Sequence, residues 1–595
     1  MTIMRRTWLQ LTGWCAIGLM LGLGLALNVA TPLAQTKPPA VKPAAAAGST
    51  TALPSRGGSL VATMRSEPRS FNPHGGRDVS TQLVAQLLHT RLVRVNRATQ
   101  QLEPWLAEKF GCTIDGLTCT LNLRRGVQFS DGTPFTADDV VFSFQVIYDE
   151  KTASPLADSM LIGGKPLAVK AIDANTVVVT FPTSFGAGLR LLDMLPILPR
   201  HKLDGAFKSG ALRKEWGPTV TPAAMAGLGP FVLQEYKAGE RLVFTRNPRY
   251  WRKDAAGTQL PYLDRLTIEI TPDQNTELLR VQSGQADLTQ SEIRPDDYAV
   301  LKREEKAGKL RLVDAGLSFD ADAFWFNLKV ESKAKDPRRA WMQSLGFRKA
   351  ISMSVDRQAF ANAVFLGAAE PIWGPVSPSN KTWYPPAASN SIDRHPYDPA
   401  GARAALANLQ LRDSNGDGML EDASGAAVRF ALITQKGNTA LEKGAAFIRD
   451  ELKKVGIAVD VAPLEVGALV DRMTKGDYDA LYFRFLTTDT DPALNLDLWL
   501  SSGSAHVWNM EQPKASTPWE AQLDALVLKM AAERNLALRQ GLFYQAQKIL
   551  SDNLPVIYFA VPRVYVATST RVVGAIAAPS RPPILWNADS IGVRR

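Results

Sequence analysis

The sequence predicts an α/β protein with mixed sheets, in which two lobes of similar construction enclose a cleft. At 595 residues the chain is too long for one ordinary domain, so two or three are expected. Strand-like segments alternate with segments of helical periodicity along the chain, which is typical of α/β architecture. In addition, one strand–helix–strand plan occurs twice, nearly two hundred residues apart.

The two copies of this plan are LTIEITPDQNTELLRVQSGQADL (266–288) and IAVDVAPLEVGALVDRMTKGDYDAL (457–481). Each begins with an alternating strand and continues through a proline into an amphipathic helix. The helices end near Gly284 and Gly476, since glycine readily adopts the left-handed conformation of a helix cap. Three residues later, Asp287 and Asp479 precede the next apolar strand. Two similar β-α-β units predict two α/β lobes, and a cleft between lobes is a natural ligand site.

Other segments predict further elements. Thr136 is predicted to cap a helix whose first turn carries Asp138 and Asp139. Residues 345–365 are predicted to form a helix with one apolar face, and residues 519–550 two successive helices. Residues 553–569 are predicted to form a late pair of strands that returns to a sheet.

The polar loop TTDTDP (487–492) follows the apolar run Ala480–Leu486, which has the length and aromatic content of a buried strand. The loop therefore lies at the carboxyl end of a strand, where open α/β sheets bind their ligands. The alternative is a polar turn with solvated carboxylates. Because the loop leaves the second repeat, we expect it to face the cleft.

The N-terminus predicts export. Arg5 and Arg6 precede an apolar segment, and no further charge occurs before Lys37, as in a secretory signal peptide covering residues 1–34. Cleavage is expected after Ala34 or Ala30; an uncleaved leader would instead tether the protein to the membrane. Residues 35–57 are rich in proline and alanine and are typical of a flexible linker. We expect a periplasmic or other extracytoplasmic location.

Two cysteines lie outside the leader, Cys112 and Cys119. They flank a turn at Asp115-Gly116 between two short predicted strands. Cysteines that face each other across a hairpin form a disulfide in an oxidising compartment. The alternative is two unpaired buried thiols, and export favours the disulfide.

Composition and motifs disfavour two function classes. The formal charge of +10 comes from scattered Lys and Arg residues rather than a basic run, which argues against nucleic-acid binding. The chain has no Gly-x-Ser-x-Gly, His-Glu-x-x-His, Cys-x-x-Cys or P-loop motif. Its five histidines are far apart in sequence, a weak signal for a metal site. We therefore predict no enzymatic activity and no cofactor.

The stretch DSNGDGMLED resembles a calcium loop. Asp413, Asn415 and Asp417 occupy positions one, three and five, and Glu421 falls at position nine. Position twelve, however, is Ser424 instead of the bidentate glutamate. An Asx- and glycine-rich turn is the favoured interpretation, and any bound calcium would be structural.

Five stretches together resemble a known family: FSDGTPFTADDVVFSF, GLGPFVLQEYKAGERLVFTRNPRYW, LPYLDRLTIEITPDQNTELLRVQSGQADL, FRKAISMSVDR and YDPAGARAALANLQLRDSNGDGMLED. They are similar to the extracellular solute-binding proteins of the oligopeptide, dipeptide and nickel class, the receptors of ABC importers. The similarity runs from about Gly57 to the C-terminus. It implies a type II periplasmic-binding-protein fold. Lobe I would comprise 58–98, 222–328 and 555–595, an inserted domain 99–221, and lobe III 329–554.

The resemblance also implies a function and a site. The family's peptide binders pair the ligand's α-ammonium with an aspartate four residues before the proline of this loop; here that residue is Thr488. The expected function is capture of a peptide or related small polar solute by hinge closure, in a monomer that delivers it to ABC permease subunits in the membrane. A secreted hydrolase acting on peptides or glycans, and a chaperone, are the alternatives. The candidate ligand contacts are Thr488, Asp489, Asp491, Trp373, Arg484, His506, Trp508 and Asn509.

Overall fold

The computed structural model describes residues 54–76, 78–329, 336–484, 487 and 489–594. The predicted signal peptide, almost all of the predicted linker, and Thr488 lie outside the described residues. Within the described part of the chain, no helix is both long enough and apolar enough to cross a membrane.

The strands, in chain order, are β1 (Ser59–Met64), β2 (Val93–Val95), β3 (Leu102–Pro104), β4 (Ala107–Cys112), β5 (Thr118–Leu123), β6 (Ala168–Asp173), β7 (Thr176–Thr180), β8 (Phe231–Lys237), β9 (Arg241–Arg246), β10 (Arg265–Ile270), β11 (Leu288–Thr289), β12 (Leu310–Leu317), β13 (Asp322–Phe326), β14 (Ala369–Pro371), β15 (Arg429–Gln435), β16 (Ala458–Leu464), β17 (Ala480–Arg484), β18 (Val556–Tyr558), β19 (Ala560–Ser569), β20 (Val572–Val573) and β21 (Gly592–Val593).

The α-helices are α1 (Val79–Leu88), α2 (Ala137–Tyr148), α3 (Arg200–Ser209), α4 (Gln274–Gln282), α5 (Pro295–Lys306), α6 (Arg339–Met342), α7 (Leu345–Ser354), α8 (Arg357–Phe365), α9 (Pro399–Asn408), α10 (Thr439–Lys453), α11 (Val466–Lys475), α12 (Leu496–Trp499), α13 (Pro518–Ala532) and α14 (Leu536–Asn553).

Two mixed sheets dominate the molecule. The first has the strand order β12-β19-β11-β1-β10-β9-β8, with β14 added on β19. The second has the order β16-β15-β17-β13-β18. A smaller antiparallel sheet, β4-β5-β7-β6, is formed between residues 107 and 180. This is the predicted α/β architecture with mixed sheets.

The internal repeat occupies corresponding places in the two large sheets. In the first sheet β1 lies parallel between β10 and β11, and in the second β15 lies parallel between β16 and β17. Gly284 and Gly476 have φ of +74° and +68°, the predicted left-handed conformation. The two sheets therefore share one core topology.

The aspartates of the repeat have the same role in both sheets. Asp287 accepts a hydrogen bond from the backbone N–H of Val61 in β1 at 2.9 Å, and Asp479 accepts one from Ala431 in β15 at 3.0 Å. Arg571 pairs with Asp287, and Arg339 pairs with Asp479. Each carboxylate therefore ties the start of the repeat's second strand to the strand that lies parallel between the two strands of the repeat.

The chain passes between the two large sheets through two short connections. Residues 318–321 join β12 of the first sheet to β13 of the second, and Phe559 joins β18 of the second sheet to β19 of the first. Because β12 pairs with β19 and β13 with β18, the connections lie side by side. Two adjacent short connections between rigid sheets have the construction of a hinge.

The disulfide predicted from the hairpin is confirmed. Cys112 and Cys119 lie directly opposite each other in the β4–β5 pair, and their Sγ atoms are 1.99 Å apart. The turn at Asp115-Gly116 closes this hairpin, with Gly116 at φ of +70°.

The small sheet and its neighbours pack against the helical pair α13–α14, sharing one core cluster with it. The backbone N–H of Gly186 donates to the carbonyl of Ala531 at 2.6 Å. A Cβ atom on Gly186 would lie 2.0 Å from the carbonyl oxygen of Glu533. The absence of a side chain therefore permits this close contact between segments far apart in sequence.

The helical predictions are confirmed with one correction. The capping Thr136 precedes α2, where its N–H donates to the Asp139 carboxylate at 2.9 Å, and the predicted pair of late helices is α13 and α14. The prediction of a single helix over 345–365 is wrong. Asp356 accepts hydrogen bonds from the N–H groups of Gln358 and Ala359, so it caps a new helix, α8, just after α7 ends.

Candidate functional site

A large cleft separates the two main sheets, with a volume of about 760 Å³. Its wall on the first sheet includes Met64 at the end of β1 and Gln290 just after β11. Its wall on the second includes Gln435 and Arg484 at the ends of β15 and β17. The cleft thus lies at the carboxyl ends of the parallel strands of both sheets. Open α/β sheets bind their ligands at this position. Its volume is within the range of small-molecule sites.

The cleft continues into a second cavity of about 450 Å³ that reaches the polar loop. Val79, Leu83 and Arg581 line both spaces. Thr487, Asp489 and Thr490 of the TTDTDP loop form part of the wall of this second cavity. The described residues of the loop therefore border the cavity that adjoins the cleft.

A small aromatic recess opens from the second cavity. Its free volume is about 50 Å³, and it shares Phe319, Asp320 and Thr487 with the second cavity. Aromatic side chains form much of its remaining wall: Trp325, Trp373, Trp499, Trp508 and Tyr558. The recess accommodates a small group with a preference for aromatic surfaces.

Asp489 has its counter-charge within the protein. Nε of Arg190 lies 2.7 Å from Oδ1 of Asp489, and both side chains are largely buried. The same guanidinium donates to the carbonyl and side chain of Gln100 and to Oγ1 of Thr490. Arg190 therefore links the TTDTDP loop to the segment preceding the small sheet.

The cleft wall at the hinge carries a cluster of charges. Nε of Arg484 lies 2.6 Å from Asp322 and its NH1 3.1 Å from Glu292, and Glu292 also pairs with Arg581 at 3.1 Å. Burial opposes ionisation of Glu292, but Arg581 and Arg484 outweigh it and lower its pKa to about 2. Although burial acts in the opposite direction, Asp322 and Glu292 raise the pKa of Arg484. Glu292 and Arg484 are therefore charged at neutral pH.

Comparison with known proteins agrees with this architecture. Residues 101–506 match the model of the bacterial extracellular solute-binding proteins, family 5. The chain belongs to this family. It is therefore a solute-binding protein of the kind that works outside the cytoplasm with an ABC permease, and the fold is of the type II periplasmic-binding class.

Individual relatives match along most of the chain. A probable ABC transporter-binding protein of Deinococcus radiodurans is 29% identical over 579 residues, 94% of this chain and 95% of the relative. Heme-binding protein A of Haemophilus influenzae is 26% identical, over 83% of this chain and 85% of the relative. The structure of the oligopeptide-binding protein AppA from Bacillus subtilis with a nonapeptide superposes with a TM-score of 0.73 at 25% identity, covering 91% of this chain and 100% of AppA.

Among the other candidate contacts, Asp491 does not border the cleft of this family 5 protein. It caps the short turn 492–494 by accepting from the N–H of Ala493, and its Oδ1 lies 2.6 Å from NH2 of Arg539. Both side chains are almost fully buried. The structure therefore places Asp491 in a structural ion pair behind the loop.

The two tryptophan candidates both line the aromatic recess. The guanidinium groups of Arg357 and Arg394 lie 5.3 and 5.0 Å from the ring centroid of Trp373. The indole N–H of Trp373 is buried and has no hydrogen-bond acceptor among the described residues. The indole N–H of Trp508 donates to Glu520 at 3.3 Å. The indole N–H of Trp508 is thus bonded to Glu520, whereas that of Trp373 has no acceptor among the described residues.

His506 and Asn509 lie outside the recess wall. His506 is fully buried, with Nε2 3.4 Å from Oε1 of Glu520. Asn509 donates to Gln512 at 2.7 Å. Both side chains support the segment that positions Trp508.

The calcium-like loop is closed by its own hydrogen bonds. Asp413, Asp417 and Glu421 bring carboxylate oxygens within 4.8 Å of one another. Glu421, however, accepts from the N–H and hydroxyl of Ser414, and Asp413 accepts from the N–H groups of Gly416 and Gly418. These hydrogen bonds are those of an Asx-rich turn.

Sequence reasoning missed Asp320. It lies in the connection between β12 and β13 and lines both the second cavity and the recess. Thr487 donates to its Oδ1 from the backbone N–H at 3.0 Å and from the hydroxyl at 2.8 Å. Burial raises the pKa of Asp320, although these hydrogen bonds and the charges of Arg581 and Arg484 act against it. The only signal in the sequence is a pair of aspartates, Asp320 and Asp322, at the start of an apolar strand.

Proposed function

We propose that this protein captures a peptide or a related small polar solute in the cleft between its two main sheets and delivers it to the membrane permease. The observation that carries the proposal is the cleft itself, lined from both sheets at the carboxyl ends of their parallel strands. Relatives described as oligopeptide-binding and di/tripeptide-binding support this ligand class. No bond is made or broken in this function.

The ligand is captured by closure of the two lobes around it. A ligand that contacts both walls stabilises the closed arrangement by its differential contacts, and the two connections between the sheets absorb the rotation. Ion pairs across the cleft support this mechanism. Lys443 of α10 pairs with Asp296 of α5 at 2.7 Å, and Arg484 of β17 pairs with Glu292.

We further propose the domain division 58–98, 222–328 and 555–595 for lobe I, 99–221 for the inserted domain and 329–554 for lobe III. Within this proposal we assign β13 and β18 to lobe III, since both strands pair within the second sheet. The protein acts as a monomer after export by residues 1–34. Of the candidate contacts, Asp489, Arg484, Trp373 and Trp508 line the cleft or its recess, and they are retained as ligand-facing residues. Thr488 lies outside the described residues and stays a candidate from the sequence alone.

Native mass spectrometry of the protein purified from its own periplasm tests this function. Because large clefts retain ligand, the expected result is a set of bound masses that denaturation releases and that fragment as short peptides. Incubation of the purified protein with the same peptides, followed by chromatography, should recover them intact. Turnover of the peptides would contradict the receptor function in favour of the hydrolase.

A further inference from the structure

The charge cluster at the hinge has one carboxyl group more than it has guanidinium groups. Arg484 and Arg581 supply two guanidinium groups, and Asp320, Asp322 and Glu292 supply three carboxylates. Asp322 pairs with Arg484, and Glu292 pairs with both arginines. Within the described residues no basic side chain forms an ion pair with Asp320. Its hydrogen-bond donors are the neutral N–H and hydroxyl of Thr487.

Asp320 is also the one charged side chain among the described residues that line the aromatic recess. Asp320 is half-buried. Arg484 and Arg581 act on it electrostatically but form their ion pairs with other carboxylates, so a ligand cation can complete the site. The faces of tryptophan and tyrosine rings attract cations as well. The recess volume of about 50 Å³ suits a head group such as an ammonium, while the adjoining cavity of about 450 Å³ has room for the remainder of a ligand.

We infer that Asp320 anchors an ammonium group of the ligand, which enters the aromatic recess while the body of the ligand lies in the adjoining cavity. This inference rests on the proposed function and specifies the ligand chemistry that the site selects. Asp489 is less suited to this role because Arg190 already neutralises it.

The position of Asp320 links recognition to closure. It lies within the 318–321 connection, one of the two short connections that join the sheets. Its partner Thr487 belongs to the loop after β17 of the second sheet. A cation held at Asp320 therefore contacts the hinge itself, where a bound group favours one arrangement of the lobes over another.

The test uses a peptic digest of casein, offered to the mature protein either untreated or with its amines blocked by acetylation. Bound peptides are quantified by mass spectrometry after rapid desalting. Wild type should retain at least about tenfold more of the untreated digest than of the acetylated one, the scale of a lost charge-assisted hydrogen bond. Asp320→Asn keeps the oxygen that Thr487 contacts, and it should lose this preference.

Asp450→Asn is the matched control, since Asp450 lies on the exposed face of α10 and pairs with the adjacent Arg449. It should behave like wild type. Asp320→Glu keeps the charge and should keep the preference for free amines, which tests the inference even if Asp320→Asn does not fold. Equal retention of both digests by wild type would refute the ammonium anchor and leave the peptide-binding function standing. Retention of neither digest by wild type would contradict the peptide-binding function itself.

Discussion

At the scale of single residues, the carboxylates of the TTDTDP loop have roles that their sequence positions do not distinguish. Asp489 borders the cavity and Asp491 lies behind it, although they are two residues apart. Their partners, Arg190 and Arg539, come from segments 299 and 48 residues away. A local pattern predicts that a polar loop follows a strand, but it cannot predict which distant arginine folds against which carboxylate. The loop was therefore predictable, whereas its internal ion pairs were not.

The Asp491–Arg539 pair makes a prediction about stability. Asp491→Ala leaves the guanidinium of Arg539 buried without a counter-charge and removes the cap of the turn 492–494. We expect a loss of about 3–5 kcal/mol, the usual effect of breaking a buried ion pair. Urea unfolding followed by circular dichroism measures it. Asp450→Asn, at an exposed pair, should change stability by less than about 0.5 kcal/mol. A similarly small change in Asp491→Ala would show that water reaches Arg539.

Glu520 gives a pH-dependent prediction. Burial opposes its ionisation, but hydrogen bonds from His506, Ser516 and Thr517 lower its pKa to about 2 from the ordinary 4.5. A depressed pKa in the folded state means that this carboxylate stabilises the fold above about pH 4.5, and that this stabilisation is lost as the pH falls toward 2.

The variant Glu520→Gln should therefore unfold with a shallower pH dependence than wild type in this window, by up to about one proton. Urea titrations at several pH values between 2 and 5 measure the slopes. Glu511→Gln, an exposed glutamate of the same segment, should retain the wild-type slope. Identical slopes for Glu520→Gln and wild type would mean that Glu520 is not held in its charged form.

At the scale of elements, the repeat was the most reliable feature of the sequence. Strand alternation, the glycine cap and the following aspartate recur in both copies, and each is a local property of the chain. The single helix predicted over 345–365 failed for an equally local reason. The apolar periodicity continues across Asp356, and only the hydrogen bonds that this side chain accepts reveal that a new helix begins there.

A contact between elements supplies another prediction. Gly186 follows β7 of the small sheet and contacts the end of α13. Gly186→Ala places a Cβ against the carbonyl oxygen of Glu533 at this contact. We expect a destabilisation of about 1–3 kcal/mol, because backbone atoms must move apart. Gly541→Ala in α14 is the control, since nothing lies within 4 Å of its added Cβ. That variant should be more stable by about 0.5–1 kcal/mol, as alanine is the better helix former. Thermal unfolding of both variants checks the opposite signs.

At the scale of the whole molecule, the cleft is built from segments distributed along the chain. The wall at the hinge combines residues near positions 290, 320, 484 and 581. The sequence predicted two lobes. It also predicted a cleft at the carboxyl ends of the parallel strands, because the topology of an open α/β sheet places its clefts there. It did not predict that Asp320 lines a cavity, because this cavity exists only after distant segments have come together.

The ion pair between Lys443 and Asp296 joins the two lobes at the rim of the cleft, and it provides a test of closure. Lys443 lies on α10, which packs on the second sheet, and Asp296 lies on α5, which packs on the first. Both side chains are exposed, so the pair contributes at most about 1 kcal/mol and is weakened by salt. Lys443→Glu replaces this attraction with repulsion between the lobes and should favour the open arrangement.

We therefore expect Lys443→Glu to weaken retention of the untreated casein digest by up to about fivefold at low salt, with a larger radius of gyration in solution scattering. The double variant Lys443→Glu/Asp296→Lys restores opposite charges at the same positions and should recover wild-type binding. The difference between the single variant and wild type should shrink at 1 M salt, where charges separated by more than about 3 Å are screened. Wild-type retention and scattering in the single variant would show that the rim pair does not contribute to closure. Weak binding by the double variant as well would assign the effect to a local contact of Lys443 instead.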